Sequence, residues 1–269
     1  KICYTQTFLI GSNLMSSRKK IYSLEDADNF SLEQILEIDR KNINPNLVDT
    51  ISKLSFAQDK IFNAQGQYIY TKDKKRIIDF TGGYGVLSHG HNHPRIIKSR
   101  INFQKNKKME VHKNYFSPYM ACLSNNIANL LPHDLNKVFL PNSGAEANEG
   151  AIKMAYKFHN AKKKYLLHSD ISFHGKLLGS GSISNTSEIN FKFPGLHFKD
   201  QFNYNNIESL TNTINKYAND IYAIIIEPLS ASTLRPLSKK FASFLRKICT
   251  SKNIVLIFDE VFTSWAKTG

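Results

Sequence analysis

The spacing of apolar and polar residues changes character along the chain. From Phe56, short β-prone runs alternate with turns: "KIFNAQGQYIYTKDKKRIIDFTGG" holds one Gly-bearing turn and one charged turn, which predicts a small antiparallel meander. "GHNHPRIIKSRINFQ" then starts a helix after Pro94. Before the meander, residues 1–55 are polar and mixed. There "SLEQILEI" opens as a capped helix, with Ser31 as cap and Gln34 at the capping-box position. Beyond Tyr115 the rhythm is strand, loop, helix. "NKVFLPNS" leads into "AEANEGAIKMAYKFH", "KYLLHS" into "FHG", and "FASFLRKICTSK" into "NIVLIFDEV", with "IYAIIIEP" after a helical stretch. Continuous apolar strands between amphipathic helices predict an α/β fold whose mostly parallel sheet is buried on both faces.

Ligands of such sheets gather at the carboxyl ends of the strands. Ser143, His174, Glu227 and Asp259 each fall at or just past the end of an apolar run, so four separate segments converge on one edge.

At 269 residues the chain is long enough for one large α/β domain with a smaller part attached. Its 41% hydrophobic and 22% charged residues exclude wholesale disorder and fibrous repeats. The +14 balance raises nucleic acid or an anionic membrane as partners. The lysines, however, lie in short scattered runs without interleaved aromatics, so neither partner is expected. Cys3, Cys122 and Cys249 form no C-x-x-C pair, which fits a reducing, cytoplasmic setting. The longest apolar runs, "YAIIIE" and "IVLIF", are too short to span a bilayer. The opening "KICYTQTFLIGSNLM" reads as a chain that begins midway rather than as a signal peptide.

Four stretches carry candidate chemistry. In "NSGAEANEG" the small residues Ser143, Gly144 and Ala145 stand at a helix start, where free N–H groups and the helix dipole favour a phosphate. The spacing Ser143-x-x-Glu146 is equally an ordinary capping box. In "SFHGK", Phe173 could stack on a planar ring while Gly175 permits the turn, or it could be a core Phe beside a satisfied His174. Glu227 in "IIIEPL" could contact a ligand or accept backbone N–H bonds. In "LIFDEVFTSWAKTG", strand alternation sends Asp259 and Val261 to one face and Glu260 to the other, so the two acids are no dyad. A lone carboxylate beside a branched apolar residue suits a flat heteroaromatic cation. His89, His91 and His93 alternate, but Gly90 and Pro94 make a turn there and nothing nearby completes a metal site. Gly82, Gly83 and Gly85 are followed by no helix at the offset of a dinucleotide fingerprint.

Taken together and in order, "DFTGGYGVLSHGHNHP", "PNSGAEANEGAIKMA", "FHGKLLGS", "IIIEPL" and "LIFDEVFTSWAKTG" resemble the class III (ω-amino acid) aminotransferases, pyridoxal-phosphate enzymes of fold type I. The likeness runs from about Asn44 to the last residue. It implies a three-layer α/β/α large domain over 111–269, incomplete, an N-terminal segment of the small domain over 56–110, and an extension or linker over 1–55. It implies that Ser143, Gly144 and Ala145 hold the cofactor phosphate, Phe173 stacks on the ring, Asp259 pairs with the ring nitrogen and Val261 packs on the opposite face. His174 and Glu227 fall beside cofactor and substrate, and Tyr84 borders the substrate pocket; no metal is implied. The histidine turn gains a structural role.

The resemblance further implies transfer of an amino group from an amine or ω-amino acid to a 2-oxo acid, in a homodimer. Phe262 stands where the family usually has Gln, "TSWAKTG" replaces a more Gly-rich loop, and "LSAS" follows the Glu-Pro pair without the usual glycines. The family's Schiff-base lysine lies beyond the Asp-Glu-Val strand, past Gly269, and Lys267 does not align with it. The chain alone is therefore expected to be an inactive fragment of an active parent. The rival readings are an aminomutase on the same fold and a non-catalytic truncated copy.

Overall fold

The computed structural model describes residues 21–111, 114–132, 134–185, 194–265 and 267–268. It divides into two compact units, 1–106 and 107–269.

In the first unit, helix α1 (Leu24–Asn29) starts at Ser23 and α2 (Leu32–Asn42) at Ser31. Each cap accepts the N3 amide and is bonded in return by the N3 side chain, Asp26 or Gln34. Asn44 caps α3 (Pro45–Ile51), where Pro45 takes the first turn. Strands β1 (Ile61–Gln65), β2 (Tyr68–Thr71) and β3 (Arg76–Ile78) form the antiparallel meander in that order. The segment α4 (Gly82–Gly85) is a left-handed turn, with positive φ at all four residues. Helix α5 (Pro94–Lys105) follows the histidine turn. That turn is stitched to the meander: Gly66 and His91 exchange backbone bonds of 2.8 Å, and His91 Nε2 lies 2.8 Å from Asp79 Oδ2. A Cβ at Gly90 would sit 2.7 Å from the Gly66 carbonyl oxygen, so only glycine permits this approach.

In the second unit, α6 (Pro118–Leu130) and α7 (Gly144–Phe158) precede β4 (Tyr165–Ser169) and α8 (Leu178–Ser182). Then come β5 (Lys199–Phe202), α9 (Ile207–Tyr217), β6 (Ile221–Ile226), α10 (Lys239–Ser251) and β7 (Val255–Phe258). The strands run parallel in the order β5-β4-β6-β7. Every residue of β6 is buried. Ile224 and Ile226 join Leu210, Ile214, Phe241 and Leu245 of α9 and α10, while Ala223 and Ile225 join Ile152 and Ala155 of α7. Helices thus cover both faces, which is why the strand reads as continuously apolar. Each fully buried Ile contributes about 1.5–3 kcal/mol by leaving water.

One expected strand is absent. Residues 136–141, ahead of α7, are irregular, and Phe139 is exposed. Among the described residues no strand pairs with this segment, so its apolar pattern has no ladder to join. No helix of the described residues is long and apolar enough to cross a membrane.

Candidate active site

The chain leaves β4 for β5 on one side and returns to β6 on the other. This opens a crevice between the carboxyl ends of β4 and β6. Two bonds span it among the described residues: the Phe173 amide, after β4, donates to Glu227 Oε2, after β6, at 3.0 Å, and the Ser230 hydroxyl, after β6, donates to the Ile171 carbonyl, after β4, at 3.2 Å. The Ala231 amide donates to Glu227 Oε1 at 3.0 Å. Burial pushes the Glu227 carboxyl up, against the pull of the Ala231 and Phe173 amides. Of the two readings of Glu227 left open by the sequence, the structure shows the acceptance of backbone N–H bonds.

Asp259 follows β7 directly, and its amide extends the ladder to the Ile226 carbonyl at 2.9 Å. Its residue is only 4% exposed, whereas Glu260 is exposed and accepts the Thr263 hydroxyl, so the two acids do diverge. Three donors meet the Asp259 carboxylate. His174 Nδ1 lies 2.7 Å and Asn148 Nδ2 2.8 Å from Oδ2, and the Val261 amide donates to Oδ1 at 3.0 Å. Burial alone would raise this carboxyl, but the hydrogen bonds from His174, the Val261 amide and Asn148 together hold it below the usual value. It therefore stays ionised at neutral pH.

His174 is fixed at every point but one. Its amide donates to Ser184 Oγ at 2.7 Å, its carbonyl accepts from Asn148 at 2.8 Å, and its Nδ1 faces Asp259. Its Nε2 is buried with no hydrogen-bond partner among the described residues. Asn148 and Ser184 were not singled out in the sequence. Asn148 had one legible signal: it lies four residues after Gly144, on the same face of α7.

At the start of α7 the Ser143 hydroxyl accepts the Glu146 amide at 3.2 Å. The capping box is only half formed, because Glu146 Oε2 takes the Asn142 amide instead of the Ser143 amide, at 2.6 Å. Gly144 and Ala145 are in the first turn, where N–H groups have no intrahelical carbonyl to meet. Both residues are also packing positions. A Cβ at Gly144 would come 2.7 Å from Val261 Cγ2, and one at Gly175, where φ is +126°, would come 2.5 Å from Ala145 Cβ. The helix start, the Phe-His-Gly loop and the loop after β7 are thereby held flush through small residues. Phe173 and Val261 leave apolar surface exposed beside this buried anion. Tyr84 lies in the other unit.

These groups fit a flat cationic ring bearing a phosphate. The site offers an ionised buried carboxylate, two exposed apolar side chains and a helix start whose first-turn amides have no intrahelical carbonyl to meet. The fold, a parallel sheet covered by helices on both faces, is that of the fold type I pyridoxal-phosphate enzymes. Residues 56–269 match the family model described as aminotransferase class-III, and the chain belongs to that family, whose cofactor is pyridoxal phosphate. It is 29% identical to an acetylornithine aminotransferase of Clostridium acetobutylicum over 229 residues, 83% of this chain and 57% of that protein. It is 36% identical to a glutamate-1-semialdehyde 2,1-aminomutase of Nitrosopumilus maritimus over 214 residues, 75% of this chain and 48% of that protein. The fold matches the ornithine aminotransferase of Toxoplasma gondii ME49 with a TM-score of 0.76 at 22% identity, over 92% of this chain and 58% of that one. The chain spans about half the length of the curated relatives it matches.

Proposed function

We propose that the protein to which this chain belongs moves an amino group from an amine or ω-amino acid to a 2-oxo acid, with pyridoxal phosphate bound at the edge described above. The observation that carries this reading is Asp259, an acid kept ionised in a buried position by three donors. When bound, pyridoxal phosphate supplies an electron sink for the carbanion left when the substrate Cα–H is removed.

In this reading the Gly144 and Ala145 amides, with Ser143, hold the phosphate at the positive end of α7. Phe173 stacks on one ring face and Val261 covers the other, excluding water. Asp259 keeps a proton on the ring nitrogen, and His174 fixes the Asp259 carboxylate from behind. Glu227, with its raised carboxyl, borders the cofactor and substrate, and Tyr84 borders the substrate pocket. The 56–110 segment is the N-terminal part of the small domain. Phe262, in place of a Gln, makes this wall of the site less polar.

The protein is proposed to work as a cytoplasmic homodimer. The wide apolar exposure over Tyr115, Phe116, Tyr119 and Met120 supports association, which light scattering of the purified protein tests. The test of function is made on the full-length protein: reconstitution with pyridoxal phosphate, then assay of ornithine, N-acetylornithine and simple diamines with 2-oxoglutarate. Stoichiometric glutamate formation supports the reading. Failure to bind pyridoxal phosphate defeats it. The likeness to an aminomutase favours a second reading, in which an amino group moves within one substrate. Product formation without any 2-oxo acid would select it.

A further inference from the structure

Asn148 lies one turn inside α7, buried, with its amide group between two oxygens. Nδ2 is 2.8 Å from Asp259 Oδ2 and 2.8 Å from the His174 carbonyl. Both partners are acceptors only, so both hydrogens of the NH2 group are used, and no hydroxyl could serve both. A carboxyl there would set an anion against Asp259. The two bonds join three elements that are distant in sequence: α7, the loop after β4 and the end of β7.

We propose that Asn148 is a positioning residue that locks the His174–Asp259 pair into one geometry and thereby decides which Asp259 oxygen faces the cofactor. Oδ2 receives two donors, His174 Nδ1 and Asn148 Nδ2, which fills its two lone pairs. Among the described residues, Oδ1 receives only the Val261 amide. The remaining lone pair is on Oδ1, and that oxygen takes the ring N–H. Without Asn148, Oδ2 would keep a vacant lone pair and the His174 carbonyl would lose its donor. The carboxylate could then rotate and the imidazole could turn with it. Because Asn148 sits on the same helix face as Gly144, one rigid turn of α7 sets the phosphate amides and the Asp259 oxygen in mutual register.

The consequence for the cofactor rests on the function proposed above, but the lock is tested without cofactor. Full-length protein freed of pyridoxal phosphate is labelled with 15N-histidine, and the His174 signals are identified by their loss in His174→Asn. The wild type is expected to show one fixed tautomer, with Nδ1 protonated and Nε2 bare. In Asn148→Ala, and in the isosteric Asn148→Asp, the two ring-nitrogen shifts are expected to converge as the ring exchanges, while the other histidines stay in place. Unchanged His174 shifts in both variants would overturn the proposal. Unfolding of both would also overturn it, since a residue that only aims a side chain is dispensable to the fold. Pyridoxal phosphate is then added, and its Kd is expected to rise about tenfold in Asn148→Ala. If the wild type binds none, the functional reading fails and the tautomer result stands. If affinity and tautomer are both unchanged, the inference alone fails.

Discussion

Gly144 packs beneath Val261 so closely that a Cβ on Gly144 would lie 2.7 Å from one Val261 methyl and 2.9 Å from the other. Rotation of the valine relieves at most one contact, because two methyls must fill two of the three staggered positions and Hβ can take only one of the two contacted ones. Gly144→Ala should therefore cost about 1–3 kcal/mol by overpacking. Val261→Ala in the same chain should restore most of the loss. Urea unfolding of both single variants and the double variant measures the coupling, and additive effects would show that the loop simply moves aside.

Gly175 is more constrained. Its φ of +126° is a region that side chains rarely adopt, and an added Cβ would meet Ala145 Cβ at 2.5 Å and Ser180 Oγ at 2.9 Å. Strain and clash act together, so Gly175→Ala should lose more than about 2 kcal/mol. Trimming Ala145 to Gly should recover only the part of the clash made by its Cβ, since Ser180 Oγ and the Ala145 Cα stay close. Full rescue by Ala145→Gly would show that the backbone strain is negligible.

Asp259→Asn should cost about 1–3 kcal/mol at neutral pH, because an amide cannot satisfy all three donors that meet the carboxylate. The folded carboxyl titrates below its unfolded value near 3.9. The stability it contributes is therefore fully present above about pH 4 and is lost as pH falls through the lower folded value. The gap between wild type and variant should narrow over that window. A gap constant from pH 7 to pH 3 would contradict the assignment.

Tyr84 holds φ of +59° and ψ of +40°, and the residue is 93% exposed. The left-handed conformation costs about 1–2 kcal/mol, and no burial repays it. Asp79 supports the turn, accepting the Thr81 amide at 2.9 Å, the Thr81 hydroxyl at 2.7 Å and the Gly82 amide at 3.0 Å. Tyr84→Gly relieves the strain but adds about 0.5–1 kcal/mol of unfolded-chain entropy. Stability should thus stay level or rise slightly. If Tyr84 serves the substrate, the same variant raises KM for the amino donor and leaves pyridoxal phosphate affinity unchanged. A melting temperature lowered by more than a few degrees would mean that the ring carries packing instead.

The sequence by itself determined the elements whose causes are local. Ser31 with Gln34 marks a helix start whatever surrounds it, and Pro94 opens α5 because its ring suits a first turn. The unbroken apolar run of β6 announced burial on both faces, and hence a parallel sheet, before any partner strand was known. Alternation also predicted that Asp259 and Glu260 diverge, and they do, although both lie past the end of β7 at Phe258, where the loop and no longer the strand period aims them.

Only the tertiary structure decided relations between segments far apart in the chain. Asn148 is 111 residues from Asp259, and no period connects them, so its bond to the carboxylate was illegible. The half-formed capping box at Ser143 depended on where Asn142 came to rest. The apolar run at 136–141 had the composition of a strand, but a strand exists only when another backbone pairs with it. Composition and period record what a segment can bury. Which group meets a given hydrogen-bond donor or methyl is fixed only when the elements pack together.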